Sequence, residues 1–437
     1  MTRIALVSTE PVRERMAGIG IRYLELARRL PAVAGVETVL VSPAEPGETG
    51  RALAAAEEAG GGEATAAPAA LRRFARGRLP ELLADCDAAV AQGQLANDVL
   101  LECPGLPVAI DLYDPWLVEN LHYRDSLGLD PYRNDHATWV LQMSQGDFFL
   151  CSSEEQRAYY LGFLTALGRV NPDRLAVDPD LAGLIAPVPF GVPAELPPHR
   201  PWLEPRRPGE RRLLFGGLYD WYDPWTLLAA LDRLGSRWGW TLLLLANPNP
   251  ESTPQRLLGE VEAECRRRGW WGGRVRLLPS VPVARRYDLM RDVDLLVAPH
   301  RPSLETLLSL RTRFLDAAAA GCPALTSEGG AMSRLVTEHG AGWVVPPGDA
   351  AAMAAALGEA LSDAGAVAAR RRGAAELARR FSWEQVLAPL AAFCERPAAD
   401  PTKEAFAFRA PTLAPPDRLG FRLLRRLARL GGGGAAR

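Results

Sequence analysis

Residues 295–328 read LLVAPHRPSLETLLSLRTRFLDAAAAGCPALTSE, and their pattern decides the fold class. An apolar run, Leu295–Pro299, has the continuous character of a strand buried on both faces. A loop follows, then a helical stretch, Thr312–Ala320, that runs into Gly321. Pro323 opens the next apolar run, Pro323–Thr326. Glycine ends helices and proline cannot continue them, so the segment reads as strand, helix, strand. Such a unit needs parallel strands with the helix crossing over one face.

The same alternation extends in both directions. Upstream in this half, strands are expected at Arg212–Gly217, Thr241–Ala246 and Val275–Leu278, with helices at Pro224–Leu234 and Pro254–Arg268. Downstream come a strand at Trp343–Val345 and helices at Asp349–Leu361, Ala366–Arg379 and Trp383–Cys394. In the first half, strands are expected at Arg3–Thr9, Thr38–Ser42, Ala88–Ala91, Val108–Leu112 and Phe148–Ser152. The helical stretches there are Gly20–Leu30, Leu71–Ala84 and Glu154–Leu167. Between the halves, Pro187–Pro208 holds eight prolines and little periodicity, as a stiff linker would. Its start, APVPFGVP, is placed to add a last strand to the first half.

The expected architecture is α/β, with two Rossmann-like, doubly wound parallel-sheet domains facing a cleft. The chain divides into an N-terminal domain at 1–195, a linker at 196–210 and a C-terminal domain at 211–381. A helix at 382–395 and a Pro/Ala-rich tail at 396–437 complete it. With 437 residues, each half is long enough for its own core. A net charge of −2 gives no reason to expect nucleic acid as a partner. The six cysteines and five histidines lack metal-ligand or redox spacing, so no metal is expected. No stretch of 18 apolar residues occurs, and the N-terminus has no signal-peptide pattern, so the expected location is cytoplasmic. Residues 417–430, in the segment DRLGFRLLRRLARL, place Leu419, Leu423, Leu427 and Leu430 on one helical face and Arg418, Arg422, Arg425 and Arg429 beside it. This is a basic amphipathic pattern. It fits a helix docked on the protein, a disordered tail, or a peripheral contact with the inner face of a membrane.

In open parallel sheets, ligands bind beyond the carboxyl ends of the strands. Four such places stand out. After the first strand, Gly18 and Gly20 in MAGIG either let backbone approach a ligand or simply serve a turn. The loop is a poor dinucleotide fingerprint, because Tyr23 stands at the third glycine position. In VAIDLYDPW, Asp111 is either a turn former or a carboxylate facing the cleft, while Asp114 before Pro115 reads as a helix cap. After the first strand of the second half, FGGLYDWYDPW offers Gly217 and Asp220, with Trp221 also able to serve packing alone. Asp223-Pro224 reads as a helix start. In the fourth place Glu305, Arg311, Arg313 and Asp316 crowd one helix start. A helix tip bearing arginines suits a diphosphate, and a carboxylate one turn along suits ribose hydroxyls. The same residues also suit a solvated face of Arg–Asp pairs.

The stretch from RVRLLPSVPVARRYDLMRDVDLLVAPHRPSLE through FLDAAAAGCPALTSEGG to GWVVPPGD resembles the second domain of retaining GT-B glycosyltransferases of group 1. So does FSWEQVLAPL, which is similar to the helix by which such proteins cross back to their first domain. The resemblance implies transfer of a sugar from a nucleotide-diphosphate sugar, with no cofactor and no metal. In it Asp316 takes the second glutamate position of the Glu-x7-Glu motif. It implies that Asp316 holds ribose, and that Arg311, Thr312 and Arg313 hold the diphosphate. Ser280 and Val281 would border the base, with Gly18, Gly20, Gly217 and Asp220 on the donor. Glu305 would contact donor-sugar hydroxyls, and Asp111 would face the acceptor or the sugar. A strict register puts Leu308, not an acid, at the first glutamate position. The Arg and Lys usual after the first strand of the second domain are replaced by LYDWYD. The text SLRTR resembles enzymes of lipopolysaccharide and other surface-glycan pathways. Acceptors consistent with this are a glycan, a lipid-linked glycan or a small natural product. A nucleotide-sugar epimerase and a catalytically inactive binding subunit are the rival readings.

Overall fold

A computed structural model describes residues 1–58, 65–123, 128–235, 238–248 and 255–403. The basic amphipathic segment 417–430 therefore lies outside the described residues.

The first half builds a seven-stranded sheet, all of it parallel. In chain order its elements are β1 (Arg3–Val7), α1 (Gly18–Ala34), β2 (Glu37–Ser42), α2 (Pro46–Glu58), β3 (Ala70–Arg73), α3 (Leu79–Leu82) and β4 (Ala88–Ala91). They continue as α4 (Gly93–Glu102), β5 (Val108–Asp111), α5 (Trp116–Asn120), α6 (Asp130–Gln145), β6 (Phe148–Cys151), α7 (Glu154–Ala166), α8 (Pro172–Val177) and β7 (Ile185–Pro187). The strand order is β3-β2-β1-β4-β5-β6-β7. The stretch Leu71–Ala84, expected as one helix, is instead the edge strand β3 followed by the single turn α3. Gly77, at φ 75°, and Pro80 break the helix that its Leu and Arg spacing suggests. Arg72 then ties the edge to Asp85 at 2.7 Å.

The second half repeats the plan in six parallel strands. These elements are β8 (Glu210–Phe215), α9 (Pro224–Leu234), β9 (Gly239–Leu245), α10 (Arg256–Arg267), β10 (Val275–Leu278), α11 (Arg286–Asp292), β11 (Leu295–Ala298) and α12 (Leu304–Leu308). Then come α13 (Thr312–Ala319), β12 (Ala324–Ser327), α14 (Gly330–His339), β13 (Gly342–Val345), α15 (Ala350–Ser362), α16 (Ala364–Arg379) and α17 (Trp383–Glu395). The order is β10-β9-β8-β11-β12-β13. The strands are runs of buried Leu, Val and Ala, covered on both faces by helices, as parallel sheets require. Asp223 caps α9 as its position before Pro224 suggests, accepting from the Thr226 N–H at 3.1 Å.

Two stretches of chain pass between the halves. The proline-rich one lies along the second half, where Asp292 accepts from the N–H groups of Trp202 at 2.6 Å and Leu203 at 2.8 Å. The other is α17, which packs on α1. They meet where Val192 bridges Ser382 and the Val192 N–H donates to the Phe381 carbonyl at 2.7 Å. The Trp383 ring lies so close over Gly191 that a Cβ there would come within 2.4 Å of it. Beyond α17 the chain stays on the first half. Asp400 is buried and accepts from Arg169 at 2.7 Å, while its N–H donates to Asp147 at 2.8 Å.

Candidate functional site

In each sheet the order reverses between two strands: β1 and β4 in the first, β8 and β11 in the second. Loops leaving the carboxyl ends at such a point open a crevice. The two crevices face each other across a cleft of about 270 Å³ that is open to solvent at its mouth. That is just below the roughly 300–1,000 Å³ usual for drug-sized ligands.

The second half supplies the charged wall. Arg311 is the N-cap residue of α13, so its side chain and the free N–H groups of the first turn share one tip. Its guanidinium lies over the rings of Trp221, at 5.6 Å, and Tyr222, at 5.2 Å. Its Nη2 donates to Glu305 Oε2 at 2.6 Å. Burial works against the Arg311 charge, yet Glu305 and Tyr222 outweigh it and raise its pKa. Thr312 and Arg313 follow on the same tip and line the cleft, Arg313 donating to the Gly216 carbonyl at the end of β8. Asp316, one turn along, also lines the cleft and accepts from Arg286 Nε at 3.3 Å. Burial raises the Asp316 pKa and Arg286 opposes the rise. Ser280 and Val281 border the cleft beyond β10.

The first half supplies the facing wall. Gly18 lines the cleft directly opposite the tip, where a Cβ would stand 3.6 Å from the Thr312 methyl. Tyr113, after β5, donates its hydroxyl to the Leu310 carbonyl across the cleft at 2.6 Å. The Val283 N–H donates to the Glu14 carbonyl at 2.9 Å. Asp114 and Glu119 complete this wall.

Of the residues singled out in the sequence, Gly18, Ser280, Val281, Arg311, Thr312, Arg313 and Asp316 come together around the cleft. Five others do not line it. Asp111 is buried at the end of β5, where Arg22 holds it through Nε at 2.7 Å and Nη2 at 3.2 Å. It also accepts from the Tyr113 N–H at 3.2 Å, the turn-forming role. Glu305 is fully buried behind Arg311 and accepts from the Ser309 hydroxyl at 2.7 Å, so its carboxylate faces protein. Gly20 makes room for Met16, whose Cβ a side chain there would approach within 2.9 Å. Gly217 lies under the Tyr222 ring, at 2.9 Å from where its Cβ would be. Asp220 turns away to Arg256 at 3.2 Å.

Sequence reasoning missed Arg286, Glu119 and the tyrosines flanking Trp221, and it read Asp114 as a cap. Asp114 does not cap α5: the N-cap residue there is Pro115, with no side-chain cap bond. Arg286 carries no local signal, since its partners, Glu25 and Asp316, lie 261 and 30 residues away. The triplet Tyr219, Trp221 and Tyr222 could have been read as a patch, because three aromatics in four residues after a strand exceed what one packing site needs.

Residues 211–363 match the family described as glycosyl transferases group 1. Over 184 residues the chain is 30% identical to a phosphatidyl-myo-inositol mannosyltransferase of Mycolicibacterium smegmatis (strain ATCC 700084 / mc(2)155). That match covers 41% of this chain and 44% of the relative, so the chain spans less than half the length of that relative. Among solved structures, Anabaena HepE in complex with UDP-glucose superposes with a TM-score of 0.61 at 14% identity, covering 90% of this chain and all of the other. WaaG, a glycosyltransferase involved in lipopolysaccharide biosynthesis, gives 0.58 at 17% identity, covering 91% of this chain and all of the other. The fold is that of the GT-B glycosyltransferases.

In this GT-B cleft one buried network spans the two halves. Arg286, on α11, donates through Nη2 to Glu25 Oε1 on α1 at 2.9 Å, as well as to Asp316. Glu25 also accepts from Arg28 at 3.2 Å and from Arg29 at 2.8 Å. Burial alone would raise the Glu25 pKa, but Arg286, Arg29 and Arg28 together hold it at about 2, below its ordinary 4.5. The unfolded chain therefore takes up this proton first as pH falls. The stabilisation is complete above pH 4.5 and is lost as pH drops through about 2. The difference corresponds to about 3 kcal/mol. The urea midpoint of the wild-type GT-B protein should fall from pH 7 to pH 3, and by less in Glu25→Gln. An equal fall in both would remove Glu25 as the cause.

Proposed function

We propose that the protein is a glycosyltransferase that moves a sugar from a nucleotide-diphosphate sugar to an acceptor hydroxyl. The observation that carries this reading is the tip of α13, where Arg311, Thr312, Arg313 and Asp316 line one cleft opposite Gly18. Departure of a nucleoside diphosphate concentrates negative charge on its oxygens. Fixed cations and free helix N–H groups stabilise that charge without rearranging as it forms. Arg311 and Arg313 take the diphosphate, and Asp316 accepts from the ribose hydroxyls once Arg286 yields part of its bond. Ser280 and Val281 border the base. Glu305 holds Arg311 in place rather than touching the sugar. The N-terminal wall, within residues 1–195, receives the acceptor, and residues 211–381 hold the donor. With two halves closed over the reacting carbon, water is kept from hydrolysing the donor.

Transfer proceeds with retention of the anomeric configuration, in surface polysaccharide or glycolipid biosynthesis. The family match and a curated relative that is a phosphatidyl-myo-inositol mannosyltransferase support this placement. Thermal-shift screening of a donor panel, including UDP-glucose and GDP-mannose, is expected to raise the melting temperature with one nucleotide class. Asp316→Ala should abolish that rise while leaving the unliganded melting temperature within a few degrees. No stabilisation by any nucleotide sugar would discard the reading.

The basic amphipathic segment gives the enzyme a peripheral hold on anionic membrane. The last described residues lie on the N-terminal half, through Asp400 and through Lys403, which pairs with Asp147 at 2.8 Å. Deleting Leu413–Arg437 should remove sedimentation with phosphatidylglycerol-containing liposomes. Full-length protein that ignores such liposomes would end the membrane reading.

A further inference from the structure

The Arg286 guanidinium, nearly buried at the start of α11, makes side-chain bonds that reach both halves. Nη2 donates to Glu25 Oε1 on α1 and to the Tyr287 hydroxyl, both at 2.9 Å. Nη1 donates to the Val283 carbonyl at 3.1 Å, and the N–H of the same Val283 reaches the Glu14 carbonyl of the first half at 2.9 Å. Nε donates to Asp316 Oδ1 at 3.3 Å, the longest of these bonds. The guanidinium carbon lies over the Tyr287 ring, 4.4 Å from its centre. A guanidinium is planar and its donors stand in one fixed fork, so the anchored arms decide where Nε points. A carboxylate has about four acceptor sites, so one long bond leaves capacity on Asp316, which lines the cleft. Glu25 is buried and is not among the residues lining the cleft. Its route to a ligand there runs through Arg286.

We propose that Arg286 and Glu25 are positioning residues that set how strictly the protein requires ribose hydroxyls. Glu25, from the first half, holds Arg286 back from Asp316 and so keeps that carboxylate free to accept from the ribose of the donor. This rests on the reading of Asp316 as the ribose ligand and adds to it a specificity device built from both halves. Without the pull of Glu25, the fork has one carboxylate left and closes on it. A close, two-pronged pair then occupies the acceptor sites that the hydroxyls need. Glu25 thereby governs which nucleosides bind without touching them. Because Glu25 and Asp316 stand on different halves, the selection is exercised while the cleft is closed.

The test uses the full-length protein and calorimetry with UDP and GDP beside their 2′-deoxy and 3′-deoxy counterparts. For the base that binds, the wild type is expected to prefer the ribonucleotide over at least one deoxy form by about tenfold or more, the scale of a lost hydrogen bond to a charged group. Glu25→Gln removes the charge that restrains Arg286 and should cut that preference by about threefold or more. Tyr287→Phe removes one anchor, keeps the ring, and should shift the preference the same way. It decides the matter if Glu25→Gln does not fold. Asp316→Ala should abolish the preference alone, and adding Glu25→Gln or Tyr287→Phe to it should change nothing more. A purely structural role would weaken ribo and deoxy forms alike and leave their ratio where it was. A ratio within about twofold of wild type in both Glu25→Gln and Tyr287→Phe overturns the proposal, as does a further change on the Asp316→Ala background. If the wild type binds these nucleotides with no preference for ribose, the proposal fails while nucleotide binding stands. If it binds none of them, the glycosyltransferase reading fails as well.

Discussion

Arg311→Ala is expected to weaken binding of the nucleoside diphosphate by one to two orders of magnitude in calorimetry. A charge-assisted hydrogen bond to an anion is worth about 1.5–3 kcal/mol, and about 1.4 kcal/mol is tenfold in affinity. The variant has a second defect. Glu305 is fully buried, and its remaining side-chain partner is the Ser309 hydroxyl. Leaving a buried carboxylate so poorly compensated is costly, so the variant also loses stability. Arg311→Lys should not restore affinity, because an ammonium cannot hold Glu305 in a fork while lying flat on Trp221 and Tyr222. Glu305→Gln should reproduce part of the loss through a loosened Arg311. Nucleotide affinity unaltered in both Arg311 variants would remove the α13 tip from the donor site.

Asp111→Ala should cost about 3–5 kcal/mol of stability, the penalty for stranding one member of a buried ion pair. Arg22 is 2% exposed and has the Asp111 carboxylate as its charged partner, besides a bond to the Pro189 carbonyl at 3.2 Å. For a domain of this size that loss corresponds to a fall in melting temperature of more than about 6 °C. Pairing it with Arg22→Met should recover much of the loss, since removing both charges leaves neither stranded. Stability unchanged in Asp111→Asn, together with abolished transfer, would instead make this carboxylate part of the chemistry.

The strands were legible because parallel sheets bury both faces and so leave continuous apolar runs such as LLLL at 242–245 and LLVA at 295–298. The edge strand β3 was not, because half-exposed ALRR carries the charge pattern of a helix face. The α13 tip was legible for the same local reason: a helix start bearing two arginines, with an acid one turn on, lies within six residues. Orientation was not. Whether Asp111 looks into the cleft or back into the sheet depends on Arg22, 89 residues earlier. Whether Glu305 touches a sugar depends on the side to which Arg311 folds. Asp114 read as the cap of a short helix, yet Pro115 is the N-cap residue there and Asp114 lines the cleft.

The place where Val192 and Ser382 run side by side has a mechanical meaning. Both passages of chain between the sheets are fastened there, with the Trp383 ring wedged on Gly191. Two links joined at one edge permit rotation about that edge and resist sliding or twisting of one lobe past the other. Rotation about that edge would carry the α13 tip away from Gly18 along an arc.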